Sequence, residues 1–148
     1  MRNPTQLQWR SPYAILSLLI AVTILFLGAN FVAHPHAGAL GYGVQVNSTD
    51  ADAFLMAKGV RDIASGLVLV ALVAFASKRA VALFLFAMTV VPFGDAVIVA
   101  TTGAAPAYAV PMHTATGLVM LILSVSMFRR SSGSIAPSAP DSSRRAGS

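Results

Sequence analysis

Four apolar runs, Tyr13–Val32, Ala53–Ala76, Ala80–Ala100 and Ala109–Phe128, take up most of the 148 residues and constrain the fold before any motif does. In a helix rising about 1.5 Å per residue, about twenty apolar residues just cross a hydrocarbon layer of roughly 30 Å. The chain is 56% hydrophobic and 10% charged, with a mean hydropathy of +0.74. That is more apolar surface than one soluble core of this size can hide. The sequence therefore predicts an all-α fold, a four-helix transmembrane bundle.

The cations outside the runs give the orientation. Arg2 and Arg10 precede the first run, Lys78 and Arg79 join the second to the third, and Arg129, Arg130, Arg144 and Arg145 follow the fourth. The other two links hold no Lys or Arg, so with four spans every loop cation falls on one side. The positive-inside rule then puts both termini in the cytoplasm. Residues 1–12 become a cytoplasmic N-terminus, 13–128 the membrane domain, and 129–148, rich in Ser, Pro, Gly and Arg, a disordered cytoplasmic tail. A secretory signal peptide with a cleavage triplet at Ala37-Gly38-Ala39 fits less well. The apolar run exceeds a signal core of roughly 7 to 15 residues, and the triplet lies well past its end.

The links differ in length. Ser77-Lys78-Arg79 reads as a tight turn, Thr101–Tyr108 as a short loop, and Ala33–Asp52 as a Gly-rich excursion. Thr49-Asp50-Ala51-Asp52 resembles a capping box for the second helix. Pro92-Phe93-Gly94 interrupts the third. Pro92 removes the amide that would bond the Met88 carbonyl, freeing an acceptor on the face that carries Asp95, unless a nearby Ser or Thr satisfies it.

Several chemistries find no support. With no cysteine there is no disulfide, thiolate nucleophile or Cys metal site. There is no Gly-rich phosphate loop, HExxH or Ser-His-Asp order. His34-Pro35-His36 with Asp50 and Asp52 matches no established ligand spacing, so no metal and no cofactor is expected. The expected partner is the lipid bilayer, not nucleic acid, because the formal charge of +5 reports orientation first.

Lys58, Arg61 and Asp62 lie inside the second run. A charge at the bilayer centre costs about 2.5 to 3.5 kcal/mol on insertion scales, so such residues face a bundle interior and mark a site. Lys58, Arg61, Asp62 and Ser65 follow i, i+3, i+4, i+7 spacing and are expected to face inward together with Gly59 and Gly66. On the fourth helix His113, Thr116, Gly117, Met120 and Ser124 form a similar stripe. With the topology above, Asp62 and Asp95 lie about 12 and 8 Å below the outer helix ends. His113 and Asn30 join them from the fourth and first helices. The candidate ligand-binding residues are thus Lys58, Arg61, Asp62, Asp95, His113 and Asn30. The competing account is a structural network, Arg61 with Asp95 and Lys58 with Asp62, that only fixes helix register.

The blocks Met56–Leu67 (MAKGVRDIASGL) and Val91–Ala96 (VPFGDA), followed by His113-Thr-Ala-Thr116, resemble the family of domain of unknown function 4267. The resemblance covers roughly residues 16 to 128 and implies a small four-helix integral membrane protein with no assigned activity. A bacterial inner membrane is the expected location. Three functions are compatible with the polar layer: binding of a small anionic or amphipathic, lipid-like ligand without turnover, a proton-linked transporter subunit completed by homo-oligomerisation, and a small membrane enzyme, an isomerase or quinone-linked oxidoreductase. The first is favoured, with Arg61 and Lys58 supplying charge, Asp62 and Asp95 orientation and His113 a hydrogen bond, because no nucleophile is recognisable.

Overall fold

The computed structural model describes residues 7–102 and 107–132, without the side chains of residues 130–132. Every regular element among them is helical: α1 (Pro12–Ala33), α2 (Pro35–Tyr42), a 3-10 turn (Thr49–Ala51), α3 (Asp52–Phe75), α4 (Lys78–Met88), α5 (Val90–Thr101) and α6 (Ala109–Ser132). Ser11 caps α1 by accepting from Ala14 N–H at 3.2 Å, with Pro12 at the first helical position. Ser77 does the same for α4, accepting from Ala80 N–H at 3.2 Å. Both are standard ways of satisfying the orphan amides of a helix start.

Five local expectations are corrected. The link from Ala33 to Asp52 is not a plain excursion but contains α2, which starts on Pro35 and ends where Gly43 turns left-handed at φ 106°. Ser48 caps the 3-10 turn, its hydroxyl accepting from Asp50 N–H at 3.2 Å, whereas α3 starts after Ala51 with no side-chain cap, so the box on Thr49 is not formed. Lys78 and Arg79 belong to the first turn of α4, leaving Ala76 and Ser77 as the turn. The third helix breaks at Thr89 rather than at Pro92–Gly94. Proline lacks an amide and crowds the carbonyl four residues earlier, so the strain falls on the preceding turn. There Thr89 sends its N–H (3.2 Å) and its hydroxyl (2.7 Å) to Phe86 O. Finally, α6 continues to Ser132, so residues 129–132 are helical, and the remainder of the expected tail lies outside the described residues.

Three helical segments are long and apolar enough to cross a bilayer: Pro12–Ala33, Lys78–Thr101 taken through its break, and Ala109–Arg129. This marks a membrane protein by length and composition. The 24-residue α3 stands apart because every 18-residue stretch of it holds Lys58, Arg61 and Asp62. Phe26, Phe54, Phe75 and Val90 are each at least 70% exposed, an apolar surface suited to lipid rather than water.

Two groups of helices make the body. α1 lies along α3, and α6 packs on both α4 and α5. A Cβ on Gly28 would lie 2.7 Å from Gly59 O, and one on Gly59 would lie 2.6 Å from Gly28 O, so the two backbones touch. Close approach through small residues is how helices associate where lipid removes the hydrophobic drive. At the Lys78 end a shared core of Ala14, Ala21, Leu69, Val73, Leu85 and Met127 joins the groups. Towards the α2 end they separate around a cavity.

Candidate functional site

A half-open cavity of about 110 Å³ lies between the two groups of helices. Each helix from α1 to α6 except α2 contributes to its wall: Ile24 and Leu27 from α1, Lys58, Asp62 and Ser65 from α3, Met88 from α4, Val91, Pro92 and Asp95 from α5, and His113, Thr116 and Met120 from α6. Four of the six candidate residues, Lys58, Asp62, Asp95 and His113, are therefore brought to one cavity. Arg61 and Asn30 are not among its lining residues. Asn30 is half-buried and uses its carbonyl to accept from His34 N–H at 2.8 Å.

The position of Arg61 departs from expectation. It is exposed, and the pair with Asp95 is not formed. Successive helical residues turn by about 100°, which puts Arg61 about 60° round from Lys58. Gly59 and Gly66 lie on the other side of Lys58, buried against α1. The glycine contact fixes the rotation of α3: Lys58, Asp62 and Ser65 then meet the cavity, and Arg61 turns away from α1. The pair Lys58 with Asp62 is formed, Nζ to Oδ2 at 2.8 Å, and both side chains are less than a third exposed.

The residue that organises the site is Tyr42, which the sequence reading did not single out. Its hydroxyl donates to Asp95 Oδ1 at 2.9 Å, and its carbonyl accepts from His113 Nε2–H at 2.8 Å. A carbonyl can only accept, so the proton of His113 is on Nε2. The Tyr42 ring lies 4.7 Å from the His113 ring and meets Phe31 edge-on at 6.3 Å. Lys58 Nζ sits 4.7 Å from the centroid of Phe31 and 5.1 Å from that of Tyr42, so its ammonium is held by two rings as well as by Asp62. Burial pushes the Tyr42 phenol well above its ordinary range, with the hydrogen bond to Asp95 and the charges of Asp95 and Asp62 adding to the shift. It remains a donor at physiological pH.

Tyr42 is delivered by α2, and α2 is fastened at its other end. His36 Nδ1–H donates to Val46 O at 2.8 Å, and Nε2 lies 2.8 Å from Asp52 Oδ1 at the start of α3. A proton on Nε2 makes this second contact an ion pair and satisfies a buried carboxylate oxygen that has no other hydrogen-bond partner among the described residues. The sequence did carry a signal for α2: Pro at the first position and Gly just past the end of an apolar stretch is the asymmetry of a helix. His34 is exposed at the start of α2. Among the described residues no group of three His, Asp or Glu side chains is placed to hold a metal ion.

Fold and site define a small all-helical membrane protein with a charged cavity whose Asp95 and His113 are held by Tyr42. Residues 21–127 match the family model described as Domain of unknown function (DUF4267), and the chain belongs to that family. No curated protein and no solved structure matches it.

Proposed function

We propose that this protein crosses the membrane four times with both termini in the cytoplasm and holds a small amphipathic molecule in the cavity, without turning it over. The observation that carries the reading is the convergence of Lys58, Asp62, Asp95 and His113, from three helices, on a cavity whose other walls are largely apolar. Few convergent polar groups in an apolar pocket are the usual form of a small-molecule site. The fourth span is α3. At 24 residues it is about 36 Å long, it lies along α1, and its Lys58 and Asp62 face the cavity rather than lipid. Arg61, about 13 Å from the α2 end of α3, reaches the headgroup region by snorkelling. Arg10, Lys78, Arg79 and Arg129 all fall at one end of the helices, which supports a cytoplasmic location for that end.

The size of the cavity limits the ligand. An apolar cavity of roughly 150 Å³ accommodates benzene, whereas drug-sized sites run from about 300 Å³ upward. About 110 Å³ therefore suits a polar head of a few heavy atoms whose apolar part leaves through the open side. Ser65→Leu would fill part of that space from α3. Mass spectrometry of organic extracts should find a small amphiphile with the purified wild-type protein and depleted from Ser65→Leu. Equal amounts in both would count against the cavity as the binding site.

A further inference from the structure

We infer that the polar end of this ligand is a protonated amine, and that Asp95 receives it. The inference rests on the cavity reading and adds the sign and hydrogen-bonding character of the ligand. Of the charged groups in the wall, Lys58 and Asp62 neutralise each other at 2.8 Å, and the Lys58 ammonium is further occupied by the Phe31 and Tyr42 rings. Asp95 is left. Among the described residues its hydrogen-bond donor is the Tyr42 hydroxyl, which reaches Oδ1, and no Lys or Arg lies within ion-pair distance. Of the Lys, Arg, Asp and Glu residues in the wall, one is positive and two are negative, so Asp95 is the carboxylate without a balancing cation. The sequence suggested an anionic or amphipathic ligand with Arg61 and Lys58 supplying charge, but Arg61 is exposed outside the cavity lining and Lys58 is paired with Asp62.

A carboxylate at membrane depth with one neutral donor is under-compensated, and a cation that donates hydrogen bonds supplies what Oδ2 lacks. Neighbouring groups fit an ammonium rather than an anion. His113 donates Nε2–H to Tyr42 O, which leaves Nδ1 of the neutral ring as an acceptor, and Thr116 Oγ1 already donates to Met112 O and is free to accept. The Met88 and Met120 side chains are apolar and polarisable. Leu27 of α1 and Val91 of α5 line the cavity and are also 47% and 42% exposed, which places its opening on the side of the bundle where an alkyl chain meets lipid.

The test uses full-length protein in choline-phospholipid nanodiscs, labelled with 13C at the methionine methyl groups, and follows Met88 and Met120 by NMR. Probes are octylammonium, octyltrimethylammonium and octanoate, which share a chain and differ in head. Octylammonium should shift both methyls saturably. It should bind at least tenfold tighter than the trimethyl probe, which is bulkier and lacks N–H donors, and octanoate should leave both methyls unmoved. Asp95→Asn should lose at least tenfold in octylammonium affinity; should that variant fail to fold, the ranking of the three probes on wild type decides alone. Ethanolamine phospholipid in the discs separates two sources of the amine: competition with octylammonium assigns it to a lipid headgroup, and no competition to a free amine. Octanoate binding as tightly as octylammonium, and lost in Ser65→Leu, would overturn the amine while leaving the cavity reading standing. Shifts that are absent for every probe, or indifferent to Ser65→Leu, would overturn both.

Discussion

Replacing Gly59 by alanine tests the contact that fixes the rotation of α3. The added Cβ would lie 2.6 Å from Gly28 O, 2.8 Å from Val32 Cγ2 and 2.9 Å from Phe31 Cβ, where ordinary contact begins at 3.4 Å. The difference, 3.4 less 2.6, requires α1 and α3 to part locally by 0.8 Å, and the first obstacle is backbone that cannot rotate aside. Overpacking of this kind costs about 1 to 3 kcal/mol, offset by about 1 kcal/mol of helix propensity gained over glycine. The net is a loss of up to about 2 kcal/mol. Gly94 in α5 supplies the comparison, since a Cβ there meets nothing within 4 Å. Gly94→Ala should therefore gain about 0.5 to 1 kcal/mol from propensity alone. Reversible unfolding in mixed micelles, followed by helical circular dichroism, should move the two midpoints in opposite directions. Equal stabilisation by both substitutions would refute the close α1–α3 contact and with it the explanation for where Arg61 points.

Lys58→Ala leaves the Asp62 carboxylate without its cation and should cost on the order of 3 kcal/mol, while exposed Arg61→Ala should stay within about 1 kcal/mol of wild type in the same unfolding assay. The Tyr42 phenol is stabilised in its protonated form, so its contribution is fully present below the unfolded pKa of about 10 and is lost as pH rises towards the higher folded value. Absorbance titration at alkaline pH should show a tyrosine ionising well above the ordinary phenol range, and Tyr42→Phe should remove that step. Because the chain has no cysteine, single cysteines report topology cleanly. Ser48→Cys and Thr102→Cys should react with an impermeant thiol reagent in intact cells and Arg79→Cys should not; the reverse pattern would invert the proposed orientation.

The long helices were legible because a bilayer demands some twenty apolar residues in a row, and the bounds of α1 and α3 fall within a residue of those expected. The short α2 was hidden because eight residues, PHAGALGY, give no usable periodicity, and its Gly content reads as loop. Missing it meant missing Tyr42, whose role depends on where α2 docks. The break before Pro92 was foreseen in kind but not in position, since a proline acts on the turn that precedes it. For the charged stripe, spacing located Lys58 and Asp62 on one face but could not give the absolute rotation of α3. That rotation is set by Gly28 and Gly59, residues without side chains, whose contact lies between elements distant in sequence. A rotation of some 60° decides whether Arg61 joins the cavity, and hence the sign of the charge it presents.

The central claim is that the space between the two groups of helices is an occupied binding site and not a packing defect around an ion pair. A cryo-electron microscopic map of the protein purified in its native lipids tests this most directly. The account predicts non-protein density in the cavity, in contact with Asp95 and bordered by His113, Ser65 and Met120, with Lys58 still on Asp62 and Arg61 turned away. A closed cavity in which Arg61 or Lys58 has moved onto Asp95 would contradict it.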